Sequence, residues 1–173
     1  MSQLSPAEQA FLLEVARRAV QVAATQAGQL LLLSAQECPP GLRPPGACFV
    51  TLTCRGELRG CVGNVLAREA LCQAVATSTR NAACSDPRFA PLSATELEQV
   101  GIEISVLSEP RPLSYSSPEE LLAQLESGRH GVVLRFGSQT ATFLPKVWDQ
   151  VPDKGQFLDR LAETAGCAAS TWR

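Results

Sequence analysis

The sequence is poor in the features that most readily announce a function. It has a single histidine, and its 15 Lys and Arg against 17 Asp and Glu leave a net charge of -2. Without a cationic surplus, a dedicated nucleic-acid binder is disfavoured, because phosphate affinity comes mainly from Lys and Arg. No block of basic residues suggests an anionic membrane partner. None of the seven cysteines forms a CxxC pair, so a zinc ribbon and a thioredoxin-like motif lack support. The longest leucine run, Leu30 to Leu33, is far too short to span a bilayer. Met1-Ser2-Gln3-Leu4-Ser5 has neither the basic start nor the apolar run of a secretory leader. The expectation is a cytoplasmic protein in a reducing setting, with free thiols. Repeats, heptads and low-complexity tracts are also missing.

What is present is an ordinary globular composition, 45% apolar and 18% charged over 173 residues. A chain of this length buries about 70% of the surface its unfolded form exposes, so one domain, 1–173, with room for a smaller lobe is expected. Ser5-Pro6-Ala7-Glu8 reads as a capping box with proline at the first helical position, opening a helix whose stripe includes Phe11, Leu12, Val15, Ala19 and Val22. Cys38 to Ala47 holds Pro39-Pro40-Gly41 and Pro44-Pro45-Gly46 and reads as an exposed connector or flap. Cys48 to Cys54 alternates as a strand and returns through Arg55-Gly56-Glu57 into a second strand, Leu58 to Gly63. Ala67 to Ala83 has helical periodicity with many alanines, Ser93 to Glu96 opens a short helix, and Ile102, Ile104 and Val106 mark a strand. Ser117 caps a further helix, Val132 to Phe136 and Thr140 to Leu144 form a hairpin, and Asp153 to Ala165 is the last helix. The order α-β-β-α-α-β-α-β-β-α, with two hairpins, defines an α+β fold: a mainly antiparallel sheet flanked by helices.

The chemistry concentrates in Leu58-Arg59-Gly60-Cys61-Val62-Gly63-Asn64. Strict alternation puts Arg59, Cys61 and Gly63 on one face of the strand and Leu58, Gly60 and Val62 on an apolar core face. A three-residue turn sets Leu52 beside Gly60 and Thr51 beside Cys61; a two-residue turn would slip every side chain to the wrong face. A guanidinium beside a thiol favours the thiolate, so Cys61 is a candidate nucleophile or redox thiol, with Arg59 as its stabiliser or as an anion binder. The plain alternative is a small buried thiol beside an arginine held in a structural ion pair. His130, the sole imidazole, and Glu103, facing away from the core, are candidate acid–base groups; either could instead be simply exposed. Gly60, Gly63, Asn64, Asp86 and Arg88 are candidate cleft residues, although Asp86 and Arg88 also suit a local pair that fixes their turn. No cysteine or histidine grouping has ligand spacing, so no metal or other cofactor is expected.

The hexapeptide Leu58-Arg59-Gly60-Cys61-Val62-Gly63 resembles the signature of AMMECR-type domains, usually LRGCIG, with Val62 for isoleucine. Asp86-Pro87-Arg88-Phe89, Pro91-Leu92, Ile102 to Leu107, Ala141 to Trp148 and Phe157-Leu158 to Cys167 resemble further blocks of that family, in its order. The resemblance implies an α+β fold with a larger lobe holding both termini and a smaller α+β lobe. It also implies genomic association with a radical S-adenosylmethionine protein and a Memo-like protein related to extradiol dioxygenases. It supplies no established reaction. The expectation is an enzyme, or the substrate-holding subunit of one, acting on a small polar or anionic metabolite or modified base around Arg59 and Cys61. The alternative is a non-catalytic interaction or ligand-binding module. Relatives usually continue past the tryptophan near this end with a final strand, whereas this sequence stops at Ser170-Thr171-Trp172-Arg173; either this member lacks that strand or the sequence is trimmed there, and the sheet edge is left open between the two.

Overall fold

The structure, a computed structural model, describes residues 4–173. It is α+β with antiparallel sheets, as the order of hydrophobic patterns requires. The chain forms two compact units, divided between Glu109 and Pro110. Of the described residues, Leu4 and Arg173 therefore fall in different units, not together in one larger lobe.

In the first unit, helix α1 (Pro6–Thr25) starts at the expected box: Ser5 Oγ accepts the Glu8 N–H, and the Glu8 carboxylate accepts the Ser5 N–H at 2.9 Å. Strands β1 (Pro45–Cys54), β2 (Glu57–Gly63) and β4 (Val100–Leu107) make an antiparallel sheet with β1 central. The short β3 (Glu69–Ala70) pairs with Pro45 and Gly46 and leads into α2 (Leu71–Cys84). Alternation along β1 sends Cys48, Val50 and Leu52 into the core with Val15, Ala19 and Val20 of α1 and Val75, Ala76 and Ala82 of α2. The opposite face of the sheet carries Thr51, Cys61 and Glu103.

The β1–β2 turn differs from the expectation in an instructive way. Arg55 and Gly56 alone form it, with φ of 53° and 86° and Cys54 opposite Glu57, the backbone of a type I′ hairpin turn. The register then shifts, because Thr53 pairs with Leu58 whereas Leu52 pairs with Gly60. Arg59 is the extra residue of a β-bulge. Beyond it, Thr51 lies opposite Cys61 and Val50 opposite Val62, the register that the hydrophobic pattern favours. Before it, the faces are displaced, and Leu58, expected in the core, is 45% exposed.

The segment from Cys38 to Ala47 is not a loose flap. Cys38 and Cys72 form a disulfide, Leu42 is fully buried, Arg43 Nε donates to the Cys38 carbonyl, and Pro44 O accepts the Leu71 N–H. This corrects the expectation of seven free thiols: Cys48, Cys54, Cys61, Cys84 and Cys167 are free. The two partners lie 34 residues apart, a spacing that carries no local signal.

In the second unit, α3 (Pro118–Gln124) precedes the hairpin β5 (Val132–Phe136) and β6 (Gln139–Phe143), and α4 (Lys154–Thr164) follows. Phe157 is the centre of its core, stacked on Trp148 with ring centroids 3.6 Å apart and edge-on to Phe143. Leu121, Leu158, Leu161 and Trp172 complete it. Among the described residues, no helix is long and apolar enough to cross a membrane.

Candidate functional site

Strand β2 is an edge of its sheet, so half of its backbone groups lack strand partners. Asp86, only 4% exposed, meets that need: its Oδ2 accepts the Cys61 N–H at 2.9 Å. Its Oδ1 accepts the Arg88 backbone N–H at 3.1 Å, and the Arg88 guanidinium clasps both oxygens at 3.0 and 2.7 Å. The Arg88 hydrogen bonds, helped by the two backbone N–H groups, hold the Asp86 carboxyl far below the usual carboxylate range despite its burial. The turn Asp86-Pro87-Arg88-Phe89 thus fastens the signature strand.

Arg59 does not serve Cys61. The bulge re-aims its side chain toward Glu96, where Nε donates to Oε1 at 2.7 Å and Nη2 to Oε2 at 3.2 Å. Nη1 also donates to the Ala90 carbonyl at 2.9 Å. The guanidinium, with its side chain 15% exposed, is engaged in fixing the 90–96 segment. These bonds, with the Ser93 N–H, hold Glu96 down to about 2. The hydrogen bonds to Asp86 and Glu96 raise the pKa of Arg88 and Arg59 respectively, so both guanidinium groups stay charged. Both guanidinium groups lie over Phe89, 5.9 and 5.5 Å from its ring centroid.

Cys61 is half-buried, and its Sγ accepts the Thr51 hydroxyl at 3.2 Å. Thr51 pairs with Cys61 on one side and with Glu103 on the other, so the three form one row across the sheet. Glu103 is exposed and two strands from Cys61, a spacing of about 10 Å that excludes direct proton transfer between them. His130 belongs to the second unit. There its Nδ1 accepts the Glu126 N–H at 3.1 Å and its carbonyl accepts the Trp148 indole N–H at 2.7 Å, contacts that close the turn after α3.

The two glycines of the signature have separate reasons. A Cβ on Gly60 would fall on the Ala82 carbonyl oxygen, so Gly60 lets β2 lie directly against α2. One on Gly63 would fall on the Cys48 carbonyl and on Phe49. Gly63 and Asn64 also wall a cavity of about 270 Å³ between the end of β2, the start of β1 and α2. Gly46, Ala47 and Cys48 form its second wall, and Arg68 and Glu69 its rim. From α2 it receives Ala74, Thr77, Ser78 and Asn81. The Thr77 hydroxyl donates to Glu69 Oε2 at 3.3 Å, and the Cys48 thiol faces Ser78 Oγ at 3.7 Å. Burial pushes that thiol up to about 11, so at neutral pH it is an uncharged wall element and not a nucleophile.

Of the expected cleft residues, Gly63 and Asn64 line this cavity; Gly60, Asp86 and Arg88 build and fasten the strand beside it. The residues that sequence reasoning missed are Thr77, Ser78, Asn81, Arg68 and Glu69. A signal existed: Ala74, Thr77, Ser78 and Asn81 repeat at i, i+3, i+4 and i+7, a stripe of small and polar residues along one face of α2. Among the described residues, no group of three or more His, Cys, Asp or Glu comes together as a metal site.

An α+β sheet whose edge strand carries the LRGCVG hexapeptide, fastened by Asp-Pro-Arg-Phe, defines the class. The AMMECR1 family model matches residues 13–173, and the chain belongs to this family. A protein of Thermofilum pendens is 35% identical over 184 residues, covering all of this chain and 85% of the relative. Protein MK0488 of Methanopyrus kandleri is 34% identical over 172 residues, covering 94% of this chain and 79% of its own length. The crystal structure of the uncharacterized protein PH0010 from Pyrococcus horikoshii is similar with a TM-score of 0.89 at 28% identity, covering 98% of this chain and 85% of that one.

Proposed function

We propose that this chain is a ligand-holding protein, either an enzyme or the substrate-holding subunit of one, which takes a small polar metabolite into the cavity beside Gly63 and Asn64. The observation that carries this reading is the cavity itself. Its size suits a metabolite smaller than a typical drug, and its walls combine backbone glycines with amide, hydroxyl and charged groups that can orient a guest. The reading moves the expected cleft from the Arg59–Cys61 face to the α2 side of the same strand. The finer reading, that the chain corresponds to AmmeMemoRadiSam system protein A and works in the cytoplasm with a radical S-adenosylmethionine protein and a Memo-like protein, rests on the resemblance of its motifs. The Cys38–Cys72 disulfide weighs against the reducing setting of that reading, because such bonds are rare in cytosolic proteins.

A second reading keeps Cys61 as a reactive thiol, supported by its partial exposure and by the Thr51 hydroxyl donated to its sulfur. Capture of the chain with both proposed partners, followed by mass spectrometry of bound small molecules, separates the readings. Thr77→Leu, which fills the cavity, should abolish a co-purifying small molecule while leaving partner capture intact. Loss with Cys61→Ser alone favours the thiol face. Partner capture with no small molecule in any variant supports the non-catalytic module instead.

A further inference from the structure

The hydrogen-bonding capacity of the cavity is lopsided. Asn64 uses Oδ1 to accept the Leu66 N–H at 3.0 Å, and Asn81 uses Oδ1 to accept from Arg80 Nη1 at 3.0 Å. Each amide therefore commits its oxygen to one hydrogen bond within the protein and neither of its two N–H donors. Arg68, exposed at the rim, makes no hydrogen bond or ion pair among the described residues. Against these donors stands one carboxylate, Glu69, half-buried, with only Oε2 engaged, by Thr77. Arg68 and Glu69 do not pair with each other, although they are adjacent in sequence.

A guest that matches this wall presents an anionic, acceptor-only end to the donors and a cationic N–H end to Glu69. A simple carboxylate would satisfy Arg68 and the amides but confront Glu69 with a like charge. A simple amine would do the reverse. We infer that the cavity takes a small zwitterion of the α-amino-acid class, its carboxylate toward Arg68 and the two Asn amides and its ammonium toward Glu69. A volume of about 270 Å³ admits one such molecule with a modest side chain. The inference rests on the cavity reading and specifies its ligand. Guanidinium–carboxylate pairs are directional and charge-assisted, which is why a single unpartnered arginine can set the orientation.

The test uses the full chain and the proteinogenic L-amino acids as probes, with acetate and methylammonium as the two half-ligands, followed by calorimetry and amide chemical shifts. At least one amino acid should bind about tenfold or more tightly than either half-ligand, with shifts confined to residues 46–48, 63–69 and the 74–81 face of α2. Arg68→Gln and Glu69→Gln each keep the local shape and should each weaken that binding about tenfold or more, the value of one charge-assisted contact at a partly wet rim. Equal binding of acetate, or unchanged affinity in both variants, overturns the assignment. If no amino acid binds while Thr77→Leu still strips a co-purifying small molecule, the class is wrong and the cavity reading stands. If Thr77→Leu also changes nothing, both fall.

Discussion

Replacing Asp86 is the sharpest test of how the signature strand is held. Its carboxylate receives four hydrogen bonds, two from backbone N–H groups (Cys61 and Arg88) and two from the Arg88 guanidinium. The Arg88 side chain is 54% exposed, so in Asp86→Ala its guanidinium can rehydrate and its share of the loss is at most about 1 kcal/mol. The two backbone donors are different. Each loses its partner in a part-buried place, at about 1–3 kcal/mol apiece. The expected cost of Asp86→Ala is therefore about 2–7 kcal/mol in urea unfolding at neutral pH, with Asp86→Asn falling near half of that because one amide oxygen can still accept. A loss below about 1 kcal/mol for the alanine variant would refute the reasoning.

The sign of the pH dependence follows from the same geometry. Folding lowers the Asp86 pKa, so its contribution is fully present above the unfolded value of about 4 and disappears as pH falls through the lower folded value. Stability measured at intervals down to strongly acid solution should decline in the native protein through that window. Asp86→Asn, which has no proton to take up, should show a correspondingly smaller decline. Parallel curves would mean that the carboxylate is not held as described.

Gly60→Ala should cost about 3 kcal/mol in denaturant unfolding, because its Cβ would fall on the Ala82 carbonyl and α2 cannot yield without loosening the core; an unchanged midpoint would contradict the contact. Reducing Cys38–Cys72, or replacing both with serine, should remove about 4 kcal/mol by the loop-entropy relation for a 34-residue separation. Thiol counting in denaturant should give five groups before reduction and seven after; seven at the outset would disprove the bond. Arg59→Ala should cost about 1–3 kcal/mol and should flatten the loss of stability that the native protein shows as pH falls from about 4.5 toward about 2, the window in which Glu96 takes up its proton.

The fold was legible where period and punctuation agree. The Ser5 box, the stripe of α1, the β1 alternation and the Phe157–Leu158–Leu161 face of α4 are local patterns whose tertiary role follows from which side is apolar. The β-bulge was not legible, because a single extra residue leaves the composition of a strand unchanged while shifting its faces. Alternation carried through position 59 put Arg59 beside Cys61 and Leu58 in the core, and both placements fail for that one reason. The disulfide and the cavity share another cause. Each is made by residues far apart in sequence, Cys38 with Cys72 and Cys48 with Ser78, and spacing cannot report what only the packing of α2 on β1 brings together. Pro40 opens a helical turn as the sequence suggests, but Pro45 and Gly46 lie in β1, and turn residues say nothing of whether a segment is tied down by Leu42 and Pro44.

The residues of the hexapeptide therefore cannot be interpreted alike when they are mutated. Arg59 anchors the 90–96 segment, Gly60 admits α2, and the Cys61 amide is the point that Asp86 grips; a defect at Arg59 or Gly60 reports on folding first. The Cys61 side chain and, just past the hexapeptide, the Asn64 amide differ, since neither carries the packing of the strand: one meets the Thr51 hydroxyl on the outer face, the other lines the cavity on the inner side. Loss of activity in Cys61→Ser with full stability would speak for the outer face, and loss in Asn64→Ala, Arg68→Gln or Thr77→Leu for the inner one. Because β2 separates these two places, variants on its two sides should act independently and their energies should add unless one guest reaches both. Non-additivity between Cys61→Ser and Arg68→Gln would accordingly be the signature of a ligand, or of a conformational change, that links the thiol to the cavity across the strand.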